Sequence, residues 1–112
     1  MEFQVSDLGS AARIALVGRL DTPGVERIET RFSASIIPKA RNTAIDLSGV
    51  TFLSSMGLRL LISTARSLSQ KKVKLVLFGP QPLVQETLDH ASIGTIIPIA
   101  VDEAHALQLL NA

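Results

Sequence analysis

Hydrophobic and polar positions fall into short blocks whose spacing changes repeatedly along the chain. Residues 2 to 7 alternate weakly, Leu8-Gly9-Ser10 is a turn signal, and Ala12 to Val17 is an apolar run of strand character. An opening hairpin is predicted. Gly18-Arg19-Leu20-Asp21 closes it, and Asp21 or Thr22 ahead of Pro23 has the chemistry of a helix start: a side-chain acceptor, then a proline whose missing N–H costs nothing there. Val25, Ile28, Phe32 and Ile36 then recur at spacings of three and four, leaving Glu26, Arg27, Glu29 and Arg31 for solvent. Pro38 stops this helix at about Ile37.

Thr43 to Leu47 reads as a short buried strand, interrupted by Ser48-Gly49 before Val50-Thr51-Phe52-Leu53. After Ser54-Ser55 comes the strongest helical pattern, with Leu58, Leu61, Ile62, Ala65 and Leu68 on one face and Arg59, Ser63, Arg66 and Gln70 elsewhere. Lys71-Lys72 ends it, and Val73 to Phe78 is a strand bounded by Gly79-Pro80. Pro82 opens a third helix with Leu83, Val84, Thr87 and Leu88 turned inward. Ile93-Gly94 terminates that helix, and Thr95 to Ile99 holds a last short strand despite Pro98. Asp102 to Leu110 makes a final helix with Ala106, Leu109 and Leu110 apolar.

The expectation is therefore five strands and four helices. Strand and helix alternate after the hairpin, so an α/β architecture is predicted, a mixed sheet with parallel crossovers and helices packed on it. Residues 1–112 read as a single domain, with no linker, repeat or low-complexity segment.

Composition narrows what such a domain does. With 46% hydrophobic residues in 112, the chain can build a core without staples. The formal net charge of +1 supplies no overall field for nucleic acid or an anionic membrane, and neither is expected as a partner. Base-stacking aromatics are confined to Phe3, Phe32, Phe52 and Phe78. The lack of cysteine removes thiolate and disulfide chemistry. No apolar run approaches the roughly 20 residues of a bilayer span, and no signal-peptide pattern opens the chain, so a cytoplasmic location is expected.

Catalytic chemistry is poorly supplied. His90 and His105 each lack a neighbouring ligand at i+3 or i+4, and the glycines form no phosphate-cradling cluster, so no cofactor, metal or enzymatic activity is expected. Asp102-Glu103 reads as a helix cap, and Lys71-Lys72 with Lys74 as a solvated turn. Arg59 and Arg66, seven residues apart, project in one direction from the second helix and suit an acidic partner surface.

The run Asp46-Leu47-Ser48-Gly49-Val50-Thr51-Phe52-Leu53-Ser54-Ser55-Met56-Gly57-Leu58 resembles the central motif of the STAS family. Gly18-Arg19-Leu20-Asp21 and Leu75-Val76-Leu77-Phe78-Gly79-Pro80 join it in the family's order, so the likeness covers nearly the whole chain. Single-domain bacterial members are anti-sigma factor antagonists. The resemblance implies binding to an anti-sigma factor that is also a serine kinase, opposed by a serine phosphatase. It places the phosphorylated serine at Ser55, with Ser54 as second candidate, and partner contacts at Asp21, Thr22, Ser54, Ser55, Met56, Gly57 and Arg59. Ser54 stands where the family's usual motif has aspartate. Serine ahead of a helix is also a favoured N-cap, so either Ser54 or Ser55 serves locally whether or not phosphorylation occurs. The alternative implied by the same fold is a docking subunit of a lipid or solute transport ATPase without phosphoswitching. Oligomeric state is not legible.

Overall fold

Alternating apolar positions on either side of a glycine turn do form a hairpin. In the computed structural model, which describes residues 1–111, strands Glu2–Leu8 (β1) and Ala11–Leu20 (β2) pair antiparallel, Leu8 opposite Ala11. Gly9 makes the reversal at φ +69°, a left-handed conformation that glycine adopts without a Cβ penalty. β2 runs on to Leu20, past the expected end at Val17, because its last residues pair in parallel with the next strand, Leu20 opposite Leu53.

That next strand, Thr43–Leu53 (β3), is continuous, so Ser48-Gly49 does not interrupt it. The register against β2 slips between Ala15 and Val17 and again between Gly18 and Arg19. Such irregularities absorb extra residues without ending the pairing, which is why a glycine there looked like a break. The remaining elements are helix Thr22–Ile36 (α1), helix Ser55–Gln70 (α2), strand Leu75–Phe78 (β4), helix Pro82–His90 (α3), a 3-10 turn at Ile93–Thr95, strand Ile99–Ala100 (β5) and helix Glu103–Leu110 (α4). The sheet order is β1-β2-β3-β4-β5, parallel from β2 onward. The expected α/β fold of five strands and four helices is the one observed.

Both faces of the parallel strands are buried, which explains their continuous apolar runs. On one face Ile14, Leu16, Ile45, Leu47 and Leu77 pack under α1, α2 and α3 through residues such as Ile28, Phe32, Leu61 and Leu88. On the other, Ala44, Val76, Phe78 and Ala100 are covered by Ala106 and Leu110 of α4. Arg13 fastens that helix from below. Its guanidinium meets Asp46 at 2.6 Å and lies 5.9 Å from the Phe78 ring centre. Its Nε is 2.8 Å from Glu103 Oε1 but off the N–H direction, so that contact is electrostatic rather than a hydrogen bond.

Four further boundaries and faces differ from expectation. In α2 the fully buried line is Gly57, Leu60, Leu61, Thr64 and Leu68, while Leu58, Ile62 and Ala65 are half-buried. The close approach of Gly57 to β2 sets this rotation, and Thr64 is admitted because its Oγ1 donates to the Leu60 carbonyl at 2.7 Å. In α3, Val84 and Leu88 point inward, whereas Leu83 is exposed in the first turn. β4 starts at Leu75: the turn after α2 is Lys71-Lys72, and the Lys74 N–H donates to the Asn42 side chain at 2.9 Å rather than to a strand. β5 is confined to Ile99–Ala100 because Pro98 has no N–H to give a ladder, although its carbonyl still accepts from Leu77 at 3.0 Å.

Candidate functional site

Two adjacent parallel strands end side by side and each feeds a helix directly, so α1 and α2 begin at the same edge of the sheet. Local capping chemistry sets both starts. Asp21 has extended backbone and its Oδ1 accepts from the Gly24 N–H at 2.9 Å. Its Oδ2 accepts from Arg19 Nε at 3.1 Å. The Gly24 N–H first, and Arg19 in addition, hold the Asp21 carboxyl below its ordinary pKa. Thr22 is exposed in the first turn of α1.

Ser54, also extended, is the cap of α2. Its backbone N–H donates to the Leu20 carbonyl at 3.0 Å, and its Oγ donates to the same oxygen at 3.3 Å. That Oγ accepts in turn from the Gly57 N–H at 3.3 Å. Capping thus belongs to Ser54 rather than Ser55, because the Leu20 carbonyl anchors the former. Ser55 is the first helical residue and is exposed, outside this network. Met56 is half-buried against the main core.

Gly57 is where the helix touches the sheet. A Cβ there would lie 2.4 Å from the Leu20 carbonyl oxygen and 2.8 Å from Leu53 Cδ1. Glycine is therefore required by contact, its backbone being ordinarily helical. Arg59 is exposed one turn beyond Ser55. The structure thus gathers Asp21, Thr22, Ser54, Ser55, Met56, Gly57 and Arg59 at one end of the sheet.

Two residues of this edge were not legible as part of it. The Arg19 guanidinium sits 4.4 Å from the Phe52 ring centre, a cation–π contact that ties the ends of β2 and β3 to the α1 cap. The pairing depends on the register slip before Arg19, so nothing in either sequence neighbourhood announces it.

The exposed Ser55 hydroxyl of this edge heads a helix with no acidic residue in the first turn. Neither histidine joins it: His90 ends α3, and His105 Nδ1 accepts from the Val101 N–H at 3.1 Å beside the Asp102 cap of α4. Among the described residues no group of three His, Cys, Asp or Glu is placed to hold a metal, and no helix is long and apolar enough to cross a membrane.

Comparison with known proteins bears on the family and the fold. A family model described as "STAS domain" matches residues 3–106. A Bordetella bronchiseptica protein provisionally named anti-sigma factor antagonist BtrV is 29% identical over 100 residues, covering 89% of this chain and 86% of that one. The anti-sigma F factor antagonist of Lysinibacillus sphaericus is 30% identical over 91 residues, covering 80% and 78%. The fold superposes on SpoIIAA, an anti-sigma factor antagonist, in its unphosphorylated form with a TM-score of 0.78 at 22% identity, over 98% of this chain and 96% of that one. With the phosphorylated form from Bacillus the TM-score is 0.71 at 23% identity, over 96% and 98%.

Proposed function

Because the chain belongs to the STAS domain family, we propose that it is an anti-sigma factor antagonist whose partner binding is switched off by phosphorylation of Ser55. The observation that carries the reading is the division of labour between neighbouring serines. Ser54 holds the helix cap, and Ser55 presents its hydroxyl to solvent at the same helix mouth. Modification of Ser55 then leaves the fold intact.

In this reading the unmodified edge, with Asp21, Thr22, Ser54, Ser55, Met56, Gly57 and Arg59, docks on an anti-sigma factor and frees its sigma factor. The anti-sigma factor is itself the serine kinase. Its phosphoryl transfer places about −1.5 to −2 charge and three acceptor oxygens on Ser55. An interface fitted around a neutral hydroxyl and Met56 then meets bulk and an unpaired charge, and affinity falls. A serine phosphatase restores the binding form. Family relatives solved with and without phosphate support the idea that one fold accommodates both states. Ser54, in place of the usual aspartate, keeps the capping oxygen but removes a negative charge beside the acceptor.

The test is incubation of the protein and a Ser55→Ala variant with ATP and the candidate kinase of its own cell, read by intact mass and peptide mapping. The proposal expects one phosphate on Ser55, lost in the variant. An unmodified protein beside a kinase shown active on another substrate would count against it.

A further inference from the structure

The net charge of +1 conceals a strong asymmetry. Between Leu47 and Gln85 the chain has five cations, Arg59, Arg66, Lys71, Lys72 and Lys74, and no carboxylate. The rest carries the other six of the eleven cations and all ten carboxylates, a balance of −4. The cationic segment consists of the end of β3, the whole of α2, β4 and the start of α3.

Arg59, Arg66, Lys71 and Lys72 are all exposed, and among the described residues none of the four is in an ion pair. Arg59 and Arg66 share the outward line of α2 with Ser55, about 10 Å apart at 1.5 Å per residue. Beside them Leu58, Ile62 and Ala65 form a half-buried apolar shoulder.

Stability does not account for this row. Lys71 and Lys72 complement the helix C-terminus, but Arg59 lies in the N-terminal half, where the macrodipole gives a cation nothing. No carboxylate stands three or four residues from either arginine. On α1, by contrast, Glu26, Arg27, Glu29 and Arg31 mix signs, as a solvated helix face usually does.

We infer that the outer face of α2 docks an acidic protein surface, its carboxylates meeting Arg59 and Arg66 while an apolar group covers the Leu58–Ile62 shoulder. This rests on the antagonist reading and names the chemistry of the partner. It also extends the interface along α2 to Arg66, about three turns beyond Ser55. Phosphate on Ser55 enters this same row one turn from Arg59, so it competes for that guanidinium as well as obstructing the contact.

The test is the affinity of the unmodified full chain for its own cell's anti-sigma factor kinase, measured at low and high salt. The variants are Arg59→Glu with Arg66→Glu, the neutral pair Arg59→Gln with Arg66→Gln, and Lys39→Glu as control. Phosphatidylglycerol vesicles and duplex DNA run as parallel probes. The proposal expects salt-weakened binding to the kinase, at least about tenfold weaker in the charge-reversed pair, an intermediate loss in the neutral pair and little change in the control. Vesicles and DNA should bind poorly. Unchanged affinity in both arginine pairs, with Ser55 phosphorylation still blocking binding, would overturn the acidic-surface proposal and leave the antagonist reading standing. No kinase binding by the wild type would defeat the antagonist reading. Arginine-dependent binding to vesicles or DNA instead, or to none of the probes, would overturn the acidic protein partner too.

Discussion

Replacing Gly57 by Ala sets two effects of opposite sign against each other. Helix propensity alone favours Ala by about 1 kcal/mol. The contact argues the other way, because the new Cβ would lie 2.4 Å from the Leu20 carbonyl oxygen, 2.8 Å from Leu53 Cδ1 and 2.9 Å from Leu20 Cγ. Leu20 and Leu53 are 0% and 4% exposed, and the nearest obstacle is backbone, so neither side chain swings clear. The first turn of α2 must retreat by about 1 Å to restore van der Waals separation. That movement stretches the bonds of Ser54 to the Leu20 carbonyl at 3.0 and 3.3 Å. Overpacking costs about 1–3 kcal/mol and a weakened cap about 1 more. After the propensity gain, a net loss of about 1–3 kcal/mol remains. In urea, with a slope of about 1–2 kcal/mol/M, the midpoint should fall by about 0.5–3 M without a change of slope. Gly94→Ala is the control, since its Cβ meets only Ile99 Cδ1, at 4.0 Å. A Gly57→Ala midpoint equal to or above the wild type would refute the contact argument.

Other perturbations probe neighbouring features. Ser54→Ala should cost about 1 kcal/mol in urea unfolding, whereas Ser55→Ala should stay within about 0.5 kcal/mol; equal losses would mean that the cap is misassigned. Asp21 has a depressed folded pKa, so its contribution is present above the unfolded value near 3.8 and is lost as pH falls through the folded one. The stability advantage of wild type over Asp21→Asn should therefore shrink below about pH 4, with the Asp21 carboxyl carbon titrating below its free value by NMR. Arg13→Ala removes the partner of Asp46, a side chain only 11% exposed, and loosens α4. It should cost about 1–3 kcal/mol, given that Arg13 itself is partly exposed, and speed hydrogen exchange at the Ala106 and Leu110 amides; unchanged exchange there would dismiss the clamp.

Features encoded by local chemistry were readable before the fold. Asp21 and Asp102 cap the helices they precede because an Asx acceptor needs only the next three residues. The hairpin, the order of elements and the STAS motif were legible for the same reason. What depends on distant contact was not. Ser54 and Ser55 offered equal caps until the Leu20 carbonyl, 34 residues away, selected one. Ser48-Gly49 looked like a break because a register slip leaves no separate mark in sequence. The α2 face was misjudged by about one position because the Gly57 contact with β2 sets its rotation. Arg59 and Arg66 were visible, but whole-chain charge hid the carboxylate-free segment around them.

The central claim is tested most directly by titration calorimetry of the purified kinase from the same cell with two preparations of this protein, unmodified and stoichiometrically phosphorylated on Ser55. The account predicts tight one-to-one binding by the unmodified form and a loss of at least about 100-fold on phosphorylation, with the circular dichroism of the two forms superimposable. Equal affinity of both forms for the kinase would contradict it.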